Sequence, residues 1–161
     1  MLTHERLTFL LNYDPETGAF TWKNVTTNRV KVGSVAGCPD LDGYILIGID
    51  GKLYKAHRLA LFYVTGVMPT LDVDHRDGNT ANNRFGNLRE VPRSINAQNQ
   101  RKVQPKNKTS KYLGVSFDRG LFIAQIMVDG VRHRLGRFAT EEAAHEAYVA
   151  AKRRLHAGCT I

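Results

Sequence analysis

The sequence predicts an α+β chain of two modules: a first part that ends in a β-β-α unit, and a small three-stranded antiparallel sheet followed by one helix. Three observations predict it. Short runs of β-branched and aromatic residues alternate with polar ones and are bounded by Asp-Gly or Gly-rich turns, with few stretches of helical period between them. A polar, basic stretch at residues 101–109 separates two runs, each with its own apolar pattern. The charge divides at the same place. Of the formal +8, residues 1–100 hold 11 Lys+Arg and 10 Asp+Glu, a net of +1, and residues 101–161 hold 12 and 5, a net of +7.

The elements follow in chain order. Residues 3–11 read as a short helix with Thr3 as N-cap and Leu7, Leu10 and Leu11 on one face. The turn Asp14-Pro15-Glu16-Thr17-Gly18 leads into a strand at residues 19–22. Residues 24–42 read as irregular. Strands at 44–49 and 52–54 flank the hairpin turn Asp50-Gly51. An apolar helix follows over His57–Thr65, closed by Gly66. Residues 71–75 and 87–91 are strand-like and enclose a polar loop. Pro92 suits the first position of a helix that extends to about Arg101. Beyond the basic linker, strands are expected near 112–117, 121–128 and 131–137, with Asp129-Gly130 as a hairpin turn. The last helix starts at Thr140, with Glu141 and Glu142 at its positive end and Ala144, Ala147, Tyr148, Ala151 and Leu155 on one face.

Composition narrows the function. The 161 residues are 42% apolar and 24% charged, ordinary for a globular chain. No run of about 18 apolar residues suits a membrane span, and Met1–Thr8 has no apolar signal core, so a cytoplasmic location is expected. The net charge points to an anionic partner, nucleic acid before a membrane surface. Two cysteines, Cys38 and Cys159, supply no disulfide framework and no four-cysteine zinc site. A bound metal would need Asp, His, Asn or Glu ligands.

The pair Asp74-His75 ends one strand, Asn87 opens the next, and Asn96 falls on the following helix, so a β-β-α unit gathers them around one point. The chemistry that suits this set is phosphodiester hydrolysis. A hard divalent cation prefers oxygen ligands such as the Asp74 carboxylate and the Asn96 amide oxygen. His75, on the other side of the strand, can take a proton from water. Asn87 can hold the histidine loop. Asp77, Gly78 and Asn79 read as the turn after His75, His57 as structural at the start of its apolar helix, and Trp22 as core. Arg89 suits either a phosphate or an acidic partner.

Val73-Asp74-His75, Asp77-Gly78-Asn79, Asn82-Asn83, Asn87-Leu88-Arg89 and Ile95-Asn96 with Asn99-Gln100 resemble the motif of HNH endonucleases, in the Asp-His…Asn…Asn variant of phage and intron homing enzymes. Asp42-Gly43-Tyr44 and Ala56-His57-Arg58-Leu59 are similar to the region upstream of it. The resemblance implies a ββα-metal domain over residues 1–100. It makes Asp74 and Asn96 metal ligands, His75 the general base and Asn87 the central Asn. Asn96 in place of a third histidine implies Mg²⁺, or Mn²⁺, rather than zinc.

Residues 110–158 resemble the AP2 DNA-binding domain through Tyr112-x-Gly114-Val115, Ala124-x-Ile126, Leu135-Gly136-x-Phe138, Thr140-x-Glu142-x-Ala144 and Ala147-Tyr148. Strand alternation independently puts Phe122, Ala124, Ile126 and Val128 on the packed face. Ile123, Gln125 and Met127 fall on the other face, and Arg132 and Arg134 share a face of the third strand. Such a sheet can enter the major groove of double-stranded DNA. The residues expected to touch DNA are Arg89, Lys108, Lys111, Arg119, Gln125, Arg132 and Arg134. Lys106, Lys108 and Lys111 suit phosphates. Together these readings predict a homing-type, metal-dependent DNA endonuclease with a C-terminal module for affinity and site preference. One site per chain implies a monomer that nicks; cutting both strands needs a dimer or sequential action. The alternative is a DNA-binding regulator with an inactive nuclease site. An RNA-binding module lacks paired aromatics on its strands for base stacking. Deleting residues 105–161 is expected to flatten the salt dependence of binding.

Overall fold

The computed structural model describes residues 1–25, 30–100, 103 and 109–160. The chain divides into two compact units, Met1–Arg93 and Ser94–Ile161. No helix among the described residues is long and apolar enough to cross a membrane.

The first unit opens with α1 (His4–Leu10), capped by the Thr3 hydroxyl, which accepts from the Arg6 N–H. The helix stops one residue early for the expectation. Leu11 is already extended and begins β1 (Leu11–Tyr13), which pairs antiparallel with β2 (Phe20–Trp22). The stretch read as irregular contains the two-residue strand β3 (Cys38–Pro39), at the edge of the sheet β3-β4-β5. Its partners β4 (Ile45–Ile49) and β5 (Lys52–Lys55) join through Asp50-Gly51, both at positive φ. α2 (Ala56–Thr65) ends on Gly66 in the left-handed region, φ 73°. β6 (Asp72–His75) and β7 (Leu88–Val91) pair antiparallel, and a 3-10 turn at Phe85–Asn87 leads into β7. Leu7, Leu10, Leu11, Phe20, Ile47, Ile49, Leu59, Val73 and Leu88 belong to one buried core. Full burial of each leucine or isoleucine stabilises the fold by about 1.5–3 kcal/mol.

The second unit begins earlier in sequence than the expected linker. Its first element, α3 (Arg93–Gln98), ends before Arg101. Asn99 and Gln100 donate to carbonyls three residues back, at 3.0 and 3.3 Å, which tightens the last turn and stops the helix. Its end is fastened to the C-terminal segment: the Gly158 N–H donates to Gln98 Oε1 at 2.9 Å, the Thr160 hydroxyl to Asn99 Oδ1 at 2.6 Å, and the buried Lys152 Nζ to the Gln100 carbonyl. That anchoring explains why the division falls before Ser94 and not after Gln100. Most of the stretch 101–109 lies outside the described residues.

The rest of the unit is the sheet β10-β9-β8, built from β8 (Val115–Asp118), β9 (Leu121–Val128) and β10 (Val131–Phe138), with α4 (Glu141–Leu155) against it. The Thr140 hydroxyl caps α4 by accepting from the Ala143 N–H at 3.2 Å. Ala144, Tyr148 and Ala151 pack on Val115, Ala124 and Ile126, with Phe122 and Val128 beside them, so the packed face has the composition that alternation predicts. Ile123, expected on the opposite face, is also buried. Gly114, at φ +75°, lies against the Tyr148 ring where any Cβ would collide with it.

Candidate active site

Strand alternation sorts β6. Val73 and His75 face the core with Leu88, the cross-strand partner of His75; Asp74 faces the other way, opposite Arg89. Asp74 is buried and its Oδ2 accepts from Arg89 Nε at 2.9 Å and Arg89 Nη2 at 2.7 Å. Of the two partners that the sequence allowed Arg89, the structure thus supplies the acidic one. A cation at Asp74 would have to share this carboxylate with the guanidinium.

His75 is 4% exposed, and its Nε2 lies 3.1 Å from Asn83 Oδ1. Its ring meets the His57 ring edge to face, centroids 5.0 Å apart, and the Tyr44 ring at 6.0 Å. Tyr44 also touches His57 at 5.2 Å and carries the Lys55 ammonium 4.0 Å over its face. Burial pushes the His75 imidazole down from its ordinary pKa; Asn83, Asp77 and Asp74 pull the other way. Burial takes His57 down to about 3, helped by its cationic neighbours Lys55 and Arg58. A neutral His75 is the form a general base requires.

Asn87 ties down the loop after His75. Its Oδ1 accepts from the Asp77 N–H at 3.0 Å, and its Nδ2 donates to Asp77 Oδ1 at 3.0 Å and to the Asn82 carbonyl at 2.8 Å. Asp77 also accepts from the Asn79 N–H and from Asn82 Nδ2. Desolvation opposes its ionisation, but the bonds from Asn82, Asn79 and Asn87 outweigh it and hold the carboxyl below the usual range. Asn87 and Asp77 therefore act on the loop after His75.

Two groups near His75 are given no part in its surroundings by the sequence, which reads His57 only as structural. Tyr44 and His57 reach it only because β4, α2 and β6 pack together. Asn83 stands within the motif, and nothing in its spacing says that its side chain turns back to the histidine.

Asn96 sits on α3 and is described with the second unit, as is the sheet face that carries the arginines. Cross-strand pairing sets Arg132 opposite Met127 and Arg134 opposite Gln125. A bulge between Arg134 and Gly136 then shifts the register, so that Arg137 stands opposite Ile123. Because Ile123, Gln125 and Met127 share a face, Arg137 joins Arg132 and Arg134 on it, and all three are exposed. The sequence reading missed Arg137; its signal was Gly136 inside a strand, here at φ +153°. Arg119 is exposed in the β8–β9 turn at φ 49°. Lys111 is turned toward α4, 3.4 Å from Glu142 and 3.8 Å from Glu141. Lys106 and Lys108 lie outside the described residues.

Among the described residues, no three His, Cys, Asp or Glu side chains converge on a metal position. The carboxylate of Asp74 is a hard oxygen donor, which suits an ion that keeps most of its water and takes one or two protein oxygens.

Comparison with known proteins finds matches over these residues. Residues 54–98 match the HNH endonuclease family. The DNA endonuclease I-HmuI of Bacillus phage SP01 is 45% identical over 64 residues, which is 37% of this chain and 37% of that protein. The chain thus spans well under two thirds of the curated relative that it matches. A solved structure described as "DNA binding and cleavage by the HNH homing endonuclease I-HmuI" aligns at 25% identity with a TM-score of 0.44, over 89% of this chain and 80% of that one. Residues 54–98 are thus similar to the HNH endonuclease family, and a 64-residue stretch of the chain is similar to I-HmuI.

Proposed function

We propose that the chain is a homing-type, metal-dependent endonuclease that hydrolyses a phosphodiester bond of double-stranded DNA. The observation that carries the reading is the Asp74-His75 pair at the end of β6, its histidine buried and fastened to Asn83, inside the residues that match the HNH endonuclease family. His75 accepts a proton from water as the water oxygen bonds to phosphorus; the bond from phosphorus to the leaving oxygen breaks, and that oxygen takes up a proton. By its place in the motif Asp74 would hold a divalent cation, Mg²⁺ or Mn²⁺, and the motif gives Asn96 the same role; such an ion would supply Lewis-acid stabilisation of developing negative charge. Asn87 and Asp77 fix the loop that follows His75.

The second unit is read as an AP2-like module in which Arg132, Arg134 and Arg137 of β10, with Gln125 of the central strand β9, face the DNA. Arginine suits paired hydrogen bonds to guanine edges; exposed Arg119 suits a phosphate. Incubating linear duplex DNA with the full chain and Mg²⁺ or Mn²⁺ tests the catalytic reading. Cleavage is expected, with loss of about 10²–10⁴-fold in rate for His75→Ala at unchanged DNA affinity. Intact DNA bound by folded protein would instead support the DNA-binding regulator.

A further inference from the structure

We propose that Lys55 is a further residue of the active site, one that binds the phosphate being cut and opposes the negative charge that builds on it. The proposal rests on the nuclease reading and adds a group outside the Asp-His…Asn…Asn pattern.

Local chemistry gives no structural reason for a lysine at this position. Lys55 ends β5 and is the N-cap of α2, where Ser, Thr, Asp or Asn would bond the first N–H groups of the helix. It makes no side-chain cap bond, and no acidic residue stands in the first turn of α2. A cation there faces the positive end of the helix, which disfavours it. A residue that breaks a local rule is expected where function keeps it.

The side chain nonetheless has a defined seat. It is exposed, and its ammonium lies 4.0 Å over the Tyr44 ring, the ring that touches His57 at 5.2 Å and His75 at 6.0 Å. A ring face attracts an ammonium without neutralising it. Two other cations of this unit are engaged differently: Arg89 bonds the Asp74 carboxylate, and Arg58 donates to the carbonyls of Leu71 and Pro69. Among the described residues Lys55 forms no ion pair. Behind burial, its charge is also among the causes that lower both imidazoles. A full positive charge thus stands beside the residue read as proton acceptor, where an anion can reach it from solvent. As water adds to phosphorus, negative charge gathers on the phosphate oxygens. An ammonium already in place attracts them more strongly then than in the ground state.

Two variants of the full chain test this on duplex DNA. Lys55→Asn removes the charge and supplies a better N-cap; Lys55→Arg keeps the charge. With Mg²⁺ or Mn²⁺ and saturating DNA, Lys55→Asn is expected to lower kcat about tenfold or more, and Lys55→Arg to recover most of the loss. The urea midpoint of Lys55→Asn is expected to match or exceed that of wild type, so the loss does not come from unfolding. Without metal, the slope of log affinity against log salt is expected to fall by about 0.9 in Lys55→Asn, the share of one phosphate contact. Wild-type kcat and slope in Lys55→Asn overturn the proposal. So does a loss of kcat that comes with a lowered urea midpoint and that Lys55→Arg does not recover, which would make Lys55 structural. If wild type binds duplex but cuts none, the nuclease reading fails, and the slope alone decides whether Lys55 holds a phosphate.

Discussion

His57 is shut between the Tyr44 and His75 rings, its Nδ1 buried with no hydrogen-bond partner among the described residues. Held down to about 3 in the folded chain against 6.5 ordinarily, it stays neutral where the unfolded chain takes up a proton. The unfolded state therefore binds more protons between those values, and stability falls as pH drops from 6.5 toward 3, by at most about 1.4 kcal/mol per pH unit for this one group. Carboxylates held low, such as Asp77 and Glu90, contribute in a different window: their stabilisation is present above the ordinary carboxylate range and lost as pH falls through their folded values. His57→Phe keeps the ring against His75 and removes the buried nitrogen. Urea midpoints measured from pH 7 to pH 4.5 are expected to fall less steeply in this variant than in wild type, and equal slopes would refute the account. The sequence showed that His57 opens an apolar helix and no more. Its contact with His75 needs the packing of three elements, whereas Asp74-His75 is legible as adjacent residues at a strand end.

At the scale of elements, period and turn chemistry located most strands and helices. Asp50-Gly51, Asp129-Gly130, Gly66 and the caps Thr3 and Thr140 all stand where their local chemistry demands. What local rules could not reach was pairing between segments. β1 and β3 are only three and two residues long and exist because a neighbour is there to bond them. β10 shows the same limit from the other side: alternation places Arg132 and Arg134 together, but Arg137 joins them only through the bulge at Gly136. That glycine sits at φ +153°, and a Cβ on it would come within 3.1 Å of the Phe138 ring. Gly136→Val is expected to destabilise the chain by about 1–3 kcal/mol, from backbone strain at a position that L side chains avoid. An unchanged urea midpoint would mean that the strand realigns without the bulge, which would carry Arg137 off the shared face.

For the whole molecule, the charge split survives the change of boundary. Residues 94–100 contain no Asp, Glu, Lys or Arg, so the units Met1–Arg93 and Ser94–Ile161 still carry +1 and +7. The boundary matters for how the division is tested. Deleting residues 105–161 would take Lys152, Gly158 and Thr160 from the end of α3, and α3 carries Asn96. The truncated chain is therefore expected to lose cleavage along with affinity, and its salt dependence would say little about which unit binds. Neutralising the arginine row in the full chain separates the two effects. Arg132→Gln, Arg134→Gln and Arg137→Gln together leave the strands, the bulge and α3 intact, since all three side chains are exposed. For every arginine that neutralises a phosphate, its replacement should reduce the slope of log affinity against log salt by about 0.9. An arginine that reads a base should instead weaken discrimination between sites by about 1–3 kcal/mol when replaced. Cleavage of saturated DNA should keep its wild-type rate, because the proton acceptor and its supports lie in residues 1–93. A variant with the wild-type slope and wild-type site preference would show that the row faces water, and that the +7 of the second unit acts elsewhere.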